Sequence, residues 1–312
     1  LYIYNIFPRI YGNTNKWRQC VQRAKYMGFN TIYVNAFYKC GVSNSIYSIC
    51  DYYSFDSLSF QKGCDPEKEI KKFNHYCKRH GMLTLTDLVI NHTAPDSPLI
   101  KKHKNWYKFD KKGNPIKAGT PGDDGFVTWV DTAKLYYEKD DKNGLKKYML
   151  DICKYYLSLG FDGFRCDVAN LVDPEVWDYI ISEVRKIKPD AIFIGESFMC
   201  PPETMIRMGK SGFDYIFSSS KWWNYEGDWL LEQYNQTKDY IASISFPDNH
   251  DTDRLIKTCN YDYELFLQRI KFTALFSKGF YITDGLEFAC ENKFMVDTTR
   301  AKDLEKTQYN FM

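Results

Sequence analysis

Eight short apolar segments, separated by helix-like segments, are the feature that most restricts how this 312-residue chain can fold. Each of the eight is rich in β-branched and aromatic residues, which favour strands, and most of the intervals between them show helical spacing of apolar residues. Such alternation predicts parallel strands joined by crossover helices. The strand candidates are 1–7, 31–35, 83–90, 163–168, 191–196, 214–218, 241–246 and 280–283, and the helix candidates are 17–27, 67–80, 146–159, 175–187, 203–210 and 263–276.

Eight strand candidates with helices between them predict a (β/α)8 TIM barrel, an α/β fold that takes about 250 residues. One helix start is marked clearly, because Asp173 is a good N-cap residue and Pro174 then occupies the first helical position. A doubly wound sheet is the alternative architecture. It is disfavoured because no Gly-x-Gly-x-x-Gly turn follows the first strand candidate.

Two irregular stretches interrupt the alternation. Residues 36–65 hold many aromatic and small residues, and residues 92–141 hold Pro, Gly, Asp and Lys with little periodicity. The second stretch is too long for a plain connection, so we predict an inserted subdomain there, which divides the barrel into 1–91 and 142–312. No final helix or further domain is apparent after residue 283 and the chain does not begin with Met, so we expect truncation.

Composition argues against several classes of protein. The 42 basic and 40 acidic residues give a net charge of +2, so neither nucleic acid nor an anionic membrane surface is the expected partner. No apolar run approaches the roughly 18 residues of a membrane span. The ten cysteines include no Cys-x-x-Cys pair, and no signal peptide is visible. We therefore expect reduced, mostly buried thiols and a cytoplasmic location.

Acidic residues end or follow four of the strand candidates: Asp87, Asp167, Glu196 and Asp251. The carboxyl ends of barrel strands meet at one rim, so these groups should crowd together and shift one another's pKa values, as acid/base or nucleophilic catalysis requires. Arg165 shares a strand face with Asp167 and should keep it ionised. A single acid at a strand end is usually a helix cap or a loop acceptor. Four of them, beside His and Arg, favour function.

Four motifs within these segments carry a family resemblance. They are Asp-Leu-Val-Ile-Asn-His at 87–92, Gly-Phe-Arg-Cys-Asp-Val-Ala at 163–169, Gly-Glu-Ser at 195–197 and Asn-His-Asp at 249–251. In order and spacing they resemble the four signature regions of the α-amylase family of glycoside hydrolases and transglycosylases. Residues 92–141 resemble that family's inserted B domain, so the resemblance spans nearly the whole chain. The C-terminal β-sandwich that members normally add is not apparent.

The resemblance implies a retaining mechanism. Asp167 matches the nucleophile that forms a covalent glycosyl–enzyme intermediate, and Glu196 matches the general acid/base. Asp251 matches the third carboxylate, which holds sugar hydroxyls and favours the oxocarbenium-like transition state. His92 and His250 match histidines that hydrogen-bond the sugar at the cleavage point.

The resemblance also suggests an aromatic contact on the substrate. Tyr47 resembles the ring that stacks on the sugar at the cleavage point, with Tyr52 or Tyr53 as alternatives. Trp222 and Trp223 follow the sixth strand candidate, where they would serve as acceptor-side stacking platforms or pack beneath their loop. Asp87 and Arg165 complete the expected substrate-binding set.

Two features bear on metal binding and on the acceptor side. Asn91 matches a calcium ligand in many members, and Asp131 is a candidate partner for it. Calcium takes about six to eight oxygen ligands, so two candidates do not define a site, and the chemistry itself requires no cofactor. Many α-amylases carry Lys and His where this chain has Asn170 and Leu171, so its acceptor side should differ.

The leading functional hypothesis is a retaining α-glycoside hydrolase acting on α-1,4-glucans such as starch, glycogen or maltodextrin. An α-glucanotransferase, or a maltosyltransferase using maltose 1-phosphate, would use the same three acids and differ in whether water or a sugar hydroxyl takes the glycosyl group. A disaccharide isomerase also fits the same residues. A non-catalytic carbohydrate-binding or scaffold protein is the rival from another class, and it would be expected to lack at least one of the acids.

Overall fold

The fold is described from a computed structural model, which covers residues 1–122, 125–139 and 141–304. The barrel strands are β1 (Tyr2–Ile6), β2 (Thr31–Val34), β3 (Leu83–Leu88), β4 (Gly163–Cys166), β5 (Ile192–Gly195), β6 (Tyr215–Phe217), β7 (Ala242–Ser245) and β8 (Gly279–Thr283). All eight pair in parallel, and β8 pairs with β1 to close the barrel. The predicted (β/α)8 barrel is therefore confirmed, with seven strands inside their predicted segments and β8 beginning one residue before its segment, at Gly279.

Helices surround this barrel. The longer ones are α1 (Thr14–Tyr26), α2 (Pro66–Arg79), α3 (Leu145–Ser158), α4 (Pro174–Arg185), α5 (Pro202–Lys210), α6 (Trp229–Thr237) and α7 (Tyr263–Phe276), and single turns occur at Pro8–Tyr11, Leu99–Lys102 and Leu255–Thr258. The predicted cap of α4 is confirmed, because the Asp173 side chain accepts the backbone N–H of Glu175 at 2.9 Å. The sequence did not indicate α6, which has no side-chain N-cap bond and buries only Leu230 and Thr237.

Alternate strand residues build two separate cores. Ile3 packs in the barrel interior, whereas its neighbour Tyr4 packs in the outer core beneath the helices. Because both faces of a strand are buried, the strands appear in the sequence as nearly continuous apolar runs. The interior is filled by large side chains from several strands: Ile3, Tyr33, Leu85, Ile194, Phe217, Ile244, Phe246 and Tyr281.

The two irregular stretches leave the barrel at the carboxyl ends of its strands. An antiparallel pair, Tyr38–Cys40 with Ile49–Phe55, lies within the first stretch. The second contains the pair His92–Thr93 with Ala133–Lys134 and a hairpin of Gly119–Gly122 with Gly125–Thr128. The subdomain boundary 92–141, and with it the division of the barrel into 1–91 and 142–312, stays a prediction.

Two expectations about the whole chain can be compared with its described part. Eight of the ten cysteines are buried, and Cys40 and Cys64 are partly exposed, as expected for mostly buried thiols. Every helix among the described residues is too short or too polar to cross a lipid bilayer.

Arg9 connects three loops at the carboxyl ends of the barrel strands through hydrogen bonds. Its buried guanidinium donates to the Asp56 carboxylate at 2.8 Å and to the backbone carbonyls of Asn44 at 2.6 Å and Val296 at 3.1 Å. The cation is therefore compensated by one carboxylate and by loop carbonyls that would otherwise lack donors. The loops that follow β1, β2 and β8 are joined through this one side chain.

Replacing Arg9 should destabilise the fold, because Asp56 would be left as an uncompensated buried charge. We expect Arg9→Met to lower the free energy of unfolding by about 3–5 kcal/mol. Urea unfolding followed by circular dichroism measures this, with Lys72→Met as control. Lys72 forms an exposed pair with Glu69, and its loss should cost less than about 1 kcal/mol. Equal losses in the two variants would contradict the role given to Arg9.

Candidate active site

The carboxyl ends of β3, β4 and β5 bring three acids around one guanidinium. Arg165, near the end of β4, lies beside Asp87 of β3 in the strand register. Its Nη1 donates to Asp87 at 3.0 Å and to Asp167 at 2.8 Å, and its Nη2 donates to Glu196 at 2.5 Å. Asp167 and Glu196 are thus adjacent because both bind the same cation, which is only 3% exposed.

Glu196 is held at both of its carboxylate oxygens. Oε1 accepts from Arg165, and Oε2 accepts the backbone N–H of Val168 at 2.7 Å. Val168 has φ 39° and ψ 44°, in the left-handed region that β-branched residues rarely adopt. Such strain persists only where the surroundings impose it, and here it directs the peptide N–H that follows Asp167 towards Glu196.

Asp87 supports the site from beneath. It is fully buried, and its carboxylate accepts the Tyr33 hydroxyl at 2.7 Å and the Ala36 backbone N–H at 2.6 Å in addition to Arg165. Because protein donors occupy both oxygens, Asp87 does not contact the cavity above it. In this structure Asp87 and Arg165 bind one another and the neighbouring acids and tyrosines, and their contact with substrate stays a prediction.

A second network positions His250 and Tyr47. The two rings stack with centroids 5.3 Å apart, and the Tyr47 hydroxyl lies 2.8 Å from Nε2 of His250. The Asn35 amide donates to the Tyr47 hydroxyl at 2.9 Å and lies 3.5 Å from Nδ1 of His250. Nε2 of His250 also lies 3.1 Å from the Asp251 carboxylate.

These groups open into one cavity of about 610 Å³ at the carboxyl end of the barrel. Asp167 and Glu196 lie at its floor and are 7% and 6% exposed, whereas the Asp251 side chain is 50% exposed. Seven residues predicted from sequence line it together: Tyr47, His92, Asp131, Asp167, Glu196, His250 and Asp251.

The alternatives to Tyr47 do not line this cavity. Tyr52 is fully buried and donates its hydroxyl to the backbone carbonyl of Val89. Tyr53 packs outside the barrel against Tyr148 and Tyr155. Of these three tyrosines, Tyr47 is the one that lines the cavity.

Burial dominates the electrostatics of the two floor acids. It raises the pKa of Asp167 well above its usual range, against the opposing attraction of Arg165. Burial also raises the pKa of Glu196, again opposed by Arg165, and the negative charge of Asp251 adds to the rise. The expectation that Arg165 determines the ionisation of Asp167 is thus corrected. The two acids titrate as a pair that keeps a proton to higher pH than ordinary carboxyl groups do.

Burial has the opposite effect on the histidines, because it disfavours their charged form. It lowers the pKa of His92 to about 4 and also lowers the pKa of His250. Both rings are therefore uncharged near neutral pH, and they can donate or accept hydrogen bonds without adding positive charge to the cavity.

The two tryptophans face different surroundings. Trp222 is 40% exposed and packs edge-on against Phe198, whose own ring lines the cavity. Trp223 packs against Tyr225 and Phe272, and its indole N–H donates to the Gly227 carbonyl. Neither tryptophan lines the cavity directly. Trp223 packs within its loop region, which was the alternative to a role as a stacking platform.

The proposed calcium ligands have separate partners. The Asn91 amide lies 3.3 Å from Nδ1 of His92, whereas the Asp131 carboxylate accepts the Ser43 hydroxyl at 2.8 Å. Across residues 1–122, 125–139 and 141–304, no group of three or more His, Cys, Asp or Glu side chains could hold a metal ion. Asn91 and Asp131 therefore have different partners in this structure, and a calcium site at them stays a prediction.

Sequence reasoning missed several residues of the site. Asn5 lies near the end of β1 and Asn35 directly follows β2, and the Asn5 amide donates to the Asn35 side chain at 2.8 Å. An asparagine near the end of each of the first two apolar segments was an available signal. Trp129, whose ring lies 5.6 Å from that of His92, and Val296 line the cavity from distant loops and gave no comparable signal.

Similarities to known proteins cover the chain unevenly. Residues 1–111 match the family model described as glycogen debranching enzyme, glucanotransferase domain. The chain is 22% identical to an alpha-1,4-glucan:maltose-1-phosphate maltosyltransferase of Picrophilus torridus, over 97% of this chain and 50% of that protein. It is 25% identical to a cyclomaltodextrinase of a Bacillus species, over 85% of this chain and 49% of that protein. The chain therefore spans about half the length of these two curated relatives.

A solved structure extends the similarity to the whole barrel. The maltogenic alpha-amylase of Thermotoga neapolitana superimposes with a TM-score of 0.76 at 25% identity, over 96% of this chain and 70% of that one. The four sequence motifs, the closed parallel barrel and these relatives agree with one another. The chain is therefore similar, over nearly all of its length, to enzymes of the α-amylase family.

Proposed function

We propose that this protein is a retaining α-glycoside hydrolase that acts on α-1,4-glucans through a covalent glycosyl–enzyme intermediate. The observation that carries the proposal is that Asp167, Glu196 and Asp251 line one cavity, with the first two bound to the same guanidinium. Retaining glycosidases need two adjacent carboxyl groups in different protonation states. The relatives named above, which act on glucans by their names, support the substrate class.

Each floor acid has a separate task in the proposed reaction. Glu196, whose pKa is raised, protonates the departing glycosidic oxygen while Asp167 attacks the anomeric carbon. In the second step Glu196 takes a proton from water, which then hydrolyses the intermediate. Asp251, at the cavity mouth beside His250, accepts sugar hydroxyls and stabilises positive charge at the anomeric centre. Tyr47 provides an aromatic face for the same sugar ring.

Substituting the nucleophile gives the most direct test. Asp167→Asn should lower kcat on maltoheptaose by about three orders of magnitude or more, because an amide cannot form the glycosyl ester. Reducing-sugar release measures turnover, and thermal unfolding checks that the fold is kept. Asp190→Asn, at an exposed position outside the cavity, is the matched control and should retain activity. An active Asp167→Asn protein would overturn the proposal.

The pH dependence gives a second prediction. Glu196 must be protonated to act as an acid, so kcat/KM should fall as pH rises through its pKa. The charge of Asp251 contributes to raising that pKa. Asp251→Asn removes the charge, so the pKa should fall and the alkaline limb of the residual kcat/KM profile should move to lower pH. A limb that stays in place would count against Glu196 as the acid, and Asp190→Asn should leave it unmoved.

Transfer is the second candidate, and a specific observation favours it. Apolar groups form much of the cavity wall: Trp129, Val130, Val168, Phe198 and Val296. Such a wall would favour the stacking face of an acceptor sugar over water. The match of residues 1–111 to a glucanotransferase domain supports the same candidate.

Incubation with maltoheptaose separates hydrolysis from transfer. Hydrolysis should give only chains shorter than seven glucose units, because water takes every glycosyl group. We expect these products to dominate when the reaction is followed by chromatography. Chains longer than seven units that increase with maltoheptaose concentration would instead establish the transferase, since a sugar acceptor competes with water by mass action.

A further inference from the structure

We infer that Asp248 and Arg254, a buried ion pair, are positioning residues that hold the loop carrying Asp251 at the cavity. Neither residue lines the cavity, so the pair would act on the reaction only through that loop. The inference rests on the proposed function, because it concerns how the third acid is kept in place for that reaction.

The pair joins the two ends of the loop formed by residues 249–253, which follows β7 and includes Asp251. Nε of Arg254 donates to Oδ2 of Asp248 at 3.1 Å, and the same oxygen accepts the backbone N–H of Leu255 at 2.9 Å. Asp248 is fully buried and Arg254 is 1% exposed. Both ends of the loop are therefore bound to one carboxylate in the interior of the protein.

The base of the loop is also attached to β8 and to the segment after it. Nη1 of Arg254 donates to the backbone carbonyl of Asp284 at 3.0 Å, and the guanidinium lies 4.9 Å from the centre of the Phe294 ring. Thr283, at the end of β8, donates its hydroxyl to the backbone carbonyl of Asp248 at 3.3 Å. The orientation of the loop base is therefore set by contacts with the neighbouring strand.

The loop itself is one hydrogen-bonded turn. Oδ1 of Asn249 accepts the backbone N–H groups of Asp251 and Thr252, each at 3.0 Å. The Thr252 hydroxyl accepts the backbone N–H of Asn249 at 3.1 Å. Because these bonds fix the shape of the turn, a change at its base would move Asp251 with it.

Asp251 depends on this turn more than the floor acids depend on their loops. Asp167 and Glu196 are both bound by the guanidinium of Arg165. Among the described residues, the Asp251 carboxylate contacts one group, Nε2 of His250 at 3.1 Å, and its side chain is 50% exposed. Its place in the cavity is therefore determined mainly by the backbone that carries it.

Fold stability alone is a poor explanation for the pair. Removing two charges from water costs free energy that their attraction often only balances, and replacing such a pair by uncharged groups is often neutral or stabilising. Here Oδ1 of Asp248 and Nη2 of Arg254 have no hydrogen-bond partner in the described part of the chain, so the cost of burial is not fully compensated. A role in orienting the loop accounts for the pair.

A variant that removes both charges separates orientation from stability. Asp248→Asn/Arg254→Met leaves no buried charge, and the new amide oxygen can still accept the Leu255 N–H. We expect thermal unfolding close to that of the wild type, whereas kcat on maltoheptaose should fall about 100-fold, the loss that a misplacement near 1 Å can cause. KM should change far less, because the proposed role of Asp251 is to stabilise the transition state. An unchanged kcat would overturn the inference.

The matched control removes the same two residue types elsewhere. Arg185 donates to both oxygens of Asp214 at 2.9 Å, where the chain enters β6 at the opposite end of the barrel. Arg185→Met/Asp214→Asn should leave kcat unchanged, and an equal fall in this control would overturn the inference. If Asp248→Asn/Arg254→Met does not fold, Asp248→Asn alone decides. It should lower kcat about 10-fold by weakening the ion pair, and an unchanged kcat would again overturn the inference.

A double-substitution cycle shows whether the pair acts through Asp251. Adding Asp248→Asn/Arg254→Met to Asp251→Asn should change kcat/KM little further, because the group that the pair positions is already lost. A further fall of about 100-fold, equal to that in the wild-type background, would show independent effects and overturn the inference.

A crystal structure of Asp248→Asn/Arg254→Met keeps the test independent of turnover. If the wild-type protein does not cleave maltoheptaose, the proposed function fails, and the position of Asp251 decides the inference. We expect the 3.1 Å contact between His250 and Asp251 to be lost in the variant. An unmoved loop would overturn the inference and leave the glycosidase chemistry unaffected.

Discussion

The buried guanidinium of Arg165 is the constraint on which the site depends. A cation that is 3% exposed is tolerable because carboxylates from three neighbouring strands surround it, and removing Arg165 would leave these buried acids without their shared cation. Asp87 lies beside Arg165 in the strand register, and Asp167 follows two residues later on the same face. Closing the barrel in its correct register therefore also assembles the two floor acids.

Burial and the shared cation together explain how one pair of acids could serve both steps of the proposed reaction, formation and hydrolysis of the glycosyl–enzyme intermediate. Burial raises the pKa of both groups, and their mutual repulsion raises that of Asp167 further. In the proposed reaction, the ester formed by Asp167 would remove its negative charge, which lowers the pKa of Glu196. Glu196 would then change from proton donor to proton acceptor between the two steps without any movement of the backbone.

Sequence reasoning recovered those parts of the structure that local rules determine. Strands and caps follow from side-chain type and spacing, and the acids at the ends of parallel strands necessarily share one rim. The asparagines at the ends of β1 and β2 obey the same rule and were overlooked. The surroundings of Trp222 and Trp223 were not predictable. The two adjacent rings pack against residues distant in the sequence, Phe198 and Phe272, and loop spacing does not indicate such contacts. The pKa of Asp167 was misjudged for a related reason: the sequence names Arg165 as its partner but does not give the depth of burial.

The floor and the wall of the cavity are held by different kinds of contact. Floor acids occupy strand ends, where register fixes them. The wall is assembled from separate loops that Arg9 joins through the carbonyls of Asn44 and Val296, and that Asp131 joins through Ser43. Backbone carbonyls accept a donor whatever their side chains are, so wall side chains such as Val296 can change without loss of the tether. Substrate choice can therefore diverge in this barrel while the arrangement of the acids is preserved.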